Sequence, residues 1–131
     1  MSYALISMSL PMFSALILLM LGTASRTMAG RLGGWWVICS SAGSLAAAWM
    51  ALMRSAEAPV TYLAIGGWEA GLAIRWQLTP LIALMLAFTA LIQLLVALYG
   101  TLNRKGVRAD FWCLTSFLHG SLAALWLSAD L

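Results

Sequence analysis

Four stretches of this chain contain no Asp, Glu, Lys or Arg: Met1 to Ser25, Leu32 to Met53, Trp76 to Asn103, and Phe111 to Ala129. A helix rises 1.5 Å per residue, so about 20 residues cross a hydrocarbon core of about 30 Å, and each run is close to that length or longer. About 63% of the residues are apolar and 8% charged, whereas a soluble domain carries about a quarter charged residues. Backbone inside lipid must satisfy its own hydrogen bonds, and the alternation of a membrane barrel is missing, which leaves helices. The chain therefore reads as an all-α integral membrane protein. It forms one domain over 1–131, with four transmembrane helices at about 3–22, 32–53, 78–100 and 110–128. No Lys or Arg precedes the first apolar run, so we take it as a retained span rather than a signal peptide, with Pro11 as a kink point.

The charges report orientation. Arg26 and Arg31 follow the first run, and Arg104, Lys105 and Arg108 follow the third. Helix count puts these two groups on one face, which the positive-inside bias makes cytoplasmic. The N-terminus, the 54–75 connector and the C-terminus are then expected on the other side, where Arg54 and Arg75 are matched by Glu57 and Glu69. The expected location is a bacterial cytoplasmic membrane. The lipid bilayer is the expected partner, rather than nucleic acid or a soluble substrate. Cys39 and Cys113 read as packing residues, and no Cys or His cluster suggests a metal.

The first run is rich in Leu, Ile and Met, as suits a peripheral span. The second carries Gly43, Ser44, Ala46, Ala47 and Ala48, small side chains that let another backbone come close. Trp35, Trp36 and Trp49 stand where interfacial anchors would. Pro80 fits the first turn of the third helix, where its missing amide costs nothing. Gln93 is expected to hydrogen-bond to a neighbouring helix. Asp110 is expected to cap the fourth helix. Between Pro59 and Gln77 the pattern alternates crudely around Gly66, Gly67 and Gly71, which predicts a short hairpin-like connector with Tyr62, Trp68 and Trp76 at headgroup depth.

The order of elements carries a resemblance. Two spans, GGW-x-x-GLAI, a proline-led LTPLIALM, a basic loop, and a fourth span ending in SADL resemble the beginning of the large antiporter-like membrane subunits. These occur in Mrp-type sodium/proton antiporters, respiratory complex I and membrane-bound hydrogenases. Gly66, Gly67, Trp68, Gly71, Pro80, Leu81, Ala83, Leu84 and Met85 fit the pattern, as do Asp130 and Leu131. Thr79 stands where the family often has Asp, and Ile82 where it often has Ser. The resemblance implies a structural membrane subunit equivalent to the first four helices of such a protein. Its partners would be membrane subunits carrying the remaining helices, in a complex that moves protons or cations. The family's Glu on the fifth helix and later Lys or His residues have no counterpart to which they can be assigned here.

Chemistry within the spans is sparse. His119 is the ionisable candidate, with an unperturbed pKa of about 6.5. It reads as a neutral imidazole bonded to a neighbouring Ser or carbonyl, as a proton relay, or as an axial ligand. Gln93, Thr115, Ser116 and Ser121 are the other polar candidates for a proton path or helix contact, with Asp130 beyond the last span. No G-x-S-x-G, paired carboxylate or phosphate-cradling loop is present, so no enzyme activity and no bound cofactor are expected. Two further functions fit the composition: a membrane anchor lining a quinone or haem pocket in a redox complex, and an assembly protein with no role in transport.

Overall fold

The computed structural model describes residues 2–55, 61–65, 74–103 and 108–128. Four helices follow one another: α1 (Ser2–Ala24), α2 (Arg26–Ser55), α3 (Pro80–Leu102) and α4 (Ala109–Leu127). Between α2 and α3, strands β1 (Thr61–Ile65) and β2 (Ile74–Leu78) pair antiparallel, with Thr61 opposite Leu78 and Ile65 opposite Ile74. The glycines Gly66, Gly67 and Gly71, with Trp68, lie outside the described residues, as does Asp130. The side chain of Tyr62 does too.

α1 packs against α2 and α4, and α3 packs against α2 and more sparsely against α4. The bundle thus closes as a ring whose loosest seam runs between α3 and α4. At the end where α3 starts, a bridge from Trp76 to Ser128 ties β2 to the end of α4, and buried Leu78 joins the core there. Arg54, in the last turn of α2, lies 4.8 Å from the centre of the Tyr3 ring at the same end.

α1, α2 from Leu32 to Ser55, and α3 are each long and apolar enough to cross a membrane. α4 is helical as expected, but it falls short of that apolarity because Asp110, His119 and three hydroxyls interrupt its leucines and phenylalanines. Three local expectations are corrected. Arg26 and Arg31 do not sit in a loop: α2 begins at Arg26, and Ser25 alone separates it from α1. α1 is not peripheral, since it buries Ala4, Ser7, Ser14, Ala15 and Leu18 and leaves Phe13, Leu16 and Met20 outside. Asp110 does not cap α4, where the N-cap is Arg108 with no side-chain cap bond. Instead its carboxylate accepts from the Arg108 guanidinium at 2.8 Å. Both groups are exposed, so the pair adds little stability.

Two local solutions explain the helix starts and the proline. Thr79 occupies the N-cap of α3, and its Oγ1 accepts from the Ile82 amide at 3.2 Å, with Pro80 in the first turn as expected. Pro11 lies inside α1 and has no amide to give the Ser7 carbonyl one turn earlier. The missing donor comes from another helix: Ser44 Oγ on α2 donates to the Ser7 carbonyl at 2.6 Å, and the Ser7 and Ser44 hydroxyls lie 3.1 Å apart. A proline thereby fixes which face of α1 meets α2.

The expected consequence is a coupling between Pro11 and Ser44. Removing the hydroxyl in Ser44→Ala leaves a buried carbonyl unpaired and should cost about 1–3 kcal/mol. In the Pro11→Ala background α1 supplies its own amide, and the same change should cost much less. Unfolding titrations of the four proteins of this cycle measure the difference, and equal costs in both backgrounds would remove the assignment.

Candidate functional site

The buried side chains of the bundle fall into two apolar clusters. Ala4, Ala48, Ala51, Leu78, Leu86 and Leu127 belong to the one at the hairpin end. Leu18, Val37, Ala97 and Trp112 form the one toward the other end. The second is organised by Trp112, which is 2% exposed. A Cβ on Gly33 would stand 2.9 Å from its Cδ1, one on Gly34 3.1 Å from its Cζ2, and one on Gly100 2.7 Å from its Cη2. Bare backbone on α2 and α3 is what admits the indole.

Polar side chains occupy the space between these clusters. Seven residues along each helix from that contact stand Ser41 on α2 (from Gly34), Gln93 on α3 (from Gly100), His119 on α4 (from Trp112) and Pro11 on α1 (from Leu18). Because neighbouring helices run antiparallel, these steps all lead toward the hairpin end and reach about the same height, roughly two turns from the indole. Ser14 and Ser116, one turn nearer Trp112, complete the layer. A further seven residues bring each helix to the hairpin-end cluster, at Ala4, Ala48, Leu86 and Trp126, which is either a member or packed against it. A layer of buried polar residues thus lies between the two apolar clusters, with Ser7 and Ser44 buried nearer the hairpin and Thr101 buried beside Gly34 at the Trp112 end.

His119 is 3% exposed and Gln93 8%. Neither His119 ring nitrogen, nor Gln93 Nε2, nor the hydroxyls of Ser14, Ser41 and Ser116 have a hydrogen-bond partner among the described residues. His119 therefore does not meet the Ser or carbonyl partner that one of its three readings expected, and Gln93 Nε2 meets none on a neighbouring helix. Beside His119, Gly120 brings α4 close to α1, where a Cβ would overlap the Met12 side chain, and a thioether is only a weak acceptor.

Of the polar residues singled out in the sequence, Gln93, Ser116 and His119 meet in this layer. Thr115 and Ser121 do not. Thr115 Oγ1 donates to the Phe111 carbonyl at 2.9 Å, and Ser121 Oγ to the Phe117 carbonyl at 2.9 Å, so both hydroxyls are engaged on their own helix. Cys113 Sγ contacts the Ala15 carbonyl at 3.4 Å, as a packing residue would, whereas Cys39 is exposed. Sequence reasoning missed Ser14 and Ser41. Their signal was the seven-residue spacing of Ser7 and Ser14 on α1, and of Gly34, Ser41 and Ala48 on α2.

Surface grooves lie beside Tyr99 and Phe111 between α3 and α4, beside Gly22 and Cys113 between α1 and α4, and beside Phe13, Trp36 and Ser14 between α1 and α2. His119 lines none of the three. Comparison of the chain with protein-family models, with curated proteins and with solved structures gives no match.

The glycine contacts generate a test of the indole cradle. Gly100→Val should destabilise the bundle by about 1–3 kcal/mol through overpacking. The smaller ring of Trp112→Phe should recover part of that loss in the double variant. Chemical unfolding of the single and double variants measures it, and strictly additive effects would show that the two positions do not touch.

Proposed function

We propose that this chain is a multi-pass membrane protein with all four helices across the bilayer, serving as a scaffold of packed helices within a larger proton- or cation-translocating complex. One observation carries the membrane part of the reading: large apolar side chains line the outside of the bundle while several polar ones are buried among small apolar residues. Met20, Leu81, Phe88, Tyr99 and Leu114 are exposed while Ser7, Ser41, Ser44, Gln93 and His119 are buried. In water that arrangement is doubly unfavourable, because it exposes apolar area and buries groups that need partners. In lipid the outer face costs nothing.

The same observation supports α4 as a fourth span. Its deficit in apolarity is mostly interior, since Ser116 and His119 are buried while Phe111, Leu114, Phe117, Leu118 and Leu125 are exposed. Its 19 residues give a helix of about 28 Å, near the thickness of a hydrocarbon core. Trp35, Trp36 and Trp49 are exposed as well.

The role within a complex rests on the resemblance to antiporter-like subunits and on the Thr79–Pro80 start of α3. Asp, which often stands at that position in the family, caps a helix through the same kind of side-chain oxygen that Thr79 offers. The proposed orientation puts Arg26, Arg31, Arg104, Lys105 and Arg108 in the cytoplasm, at a bacterial inner membrane. Partner subunits would supply the intramembrane Glu and Lys of the translocation path. On this reading the chain itself neither catalyses a reaction nor exchanges ions.

Site-specific labelling of single-cysteine variants tests the topology, with positions 54 and 104 expected on opposite sides of the membrane. Purification in mild detergent should retain chains bearing an intramembrane Glu and Lys. Labelling of both positions from one side would overturn the four-span reading. A stable monomer, or sodium-for-proton exchange by liposomes holding this chain alone, would overturn the scaffold role.

A further inference from the structure

The polar layer between the two apolar clusters holds buried groups that no described side chain pairs. Six polar atoms of five residues on four helices lie at this height without a hydrogen-bond partner among the described residues: Ser14 Oγ, Ser41 Oγ, Gln93 Nε2, Ser116 Oγ, and both ring nitrogens of His119. Each such atom left unpaired in an apolar interior is destabilising, because it has lost its hydrogen bonds to water and gained none in return.

The chemistry of the set selects the occupant. A hard cation wants carboxylates or several carbonyl oxygens, and an anion wants Arg, Lys or a cluster of N–H groups. The layer has an amide, three hydroxyls and one imidazole, and carries no fixed charge. Hydroxyls both donate and accept, the Gln93 Nε2 donates, and a neutral imidazole does one at each nitrogen. Water matches all of these at once, and a buried water makes about three hydrogen bonds to otherwise unpaired groups.

We propose that the layer formed by Ser14, Ser41, Gln93, Ser116 and His119 is a binding site for a small cluster of water molecules, held between the Trp112 and Leu86 layers of the core. The site goes beyond the scaffold role and rests on the bundle being lipid-embedded. Trp112, pressed against Gly33, Gly34 and Gly100, closes it on one side. Leu86 and Leu127, both fully buried, close it on the other. The water is in contact with His119 and does not run from face to face, and Ser14 also lines the surface groove between α1 and α2.

The test uses the full chain, 15N-labelled and reconstituted into phosphatidylcholine nanodiscs, with magnetisation transfer from water read at the Gln93 side-chain amide and the His119 ring. Assembly into the nanodiscs reports the membrane reading separately, before any water is measured. Transfer is expected at both groups, together with its loss at His119 in the Ser41→Val, Ser116→Val double variant, whose methyl groups take up the space. Two outcomes would overturn the site. One is no transfer in the unsubstituted chain, with a scalar coupling across a direct Gln93–His119 hydrogen bond. The other is transfer that the double variant leaves unchanged.

Discussion

Close approach of helix backbones is the constraint from which the rest of this bundle follows. Where the interior faces meet, side chains are small: Ala4, Ala15, Ala48, Ala51, Ala83, Ala90, Ala97 and Ala123 are buried, and the large apolar residues are mostly outside. Packing of this kind gains little from removing surface from water and much from van der Waals contact, and it is the arrangement expected when the surroundings are as apolar as the side chains. It also makes a few positions decisive. The Trp112 indole enters only because Gly33, Gly34 and Gly100 have no side chain, and at Gly120 the absence of a side chain lets α4 come close to Met12 of α1.

Small faces bring polar groups within range of one another, and here that becomes a structural device. The Ser7 carbonyl, deprived of its helical partner by Pro11, lies within 2.6 Å of Ser44 Oγ because both helices present small residues at that crossing. In an aqueous protein a solvent molecule could serve the carbonyl. In an apolar environment the donor must come from protein or from trapped water, so the proline and the serine form one unit split between two helices.

The sequence made the helices legible because a run without charge is a one-dimensional property. It made the polar layer only half legible. Gln93 and His119 stand out as isolated polar residues in apolar runs, whereas Ser14 and Ser41 are indistinguishable by composition from Thr115 and Ser121. What separates them is rotation about the helix axis: the first two face the interior, and the last two bond to carbonyls one turn back. The start of α2 was hidden for a similar reason. Arg26 and Arg31 mark where a lipid-compatible stretch ends, but charge does not stop a helix, which continues from Arg26 without a break. Asp110 looked like a cap because carboxylates favour helix N-termini. It stands two residues past the N-cap, inside the first turn, where it pairs with Arg108.

The layering also bears on the proposed role within a complex. A proton crossing a bilayer needs a continuous series of hydrogen-bonding groups, and this interior offers a polar middle bounded by apolar ends. Toward the start of α4 the layer is followed by buried Trp112, and toward the hairpin by Leu86 and Leu127. A connection to the layer would have to enter sideways, and the ring of helices is unequal in that respect, being loosest between α3 and α4, the helices that carry Gln93 and His119. Under the proposed role, a partner helix bearing a carboxylate against that seam would give the buried polar layer a lateral continuation. The two apolar clusters would then serve as insulation, keeping protons from leaking along the axis of the scaffold.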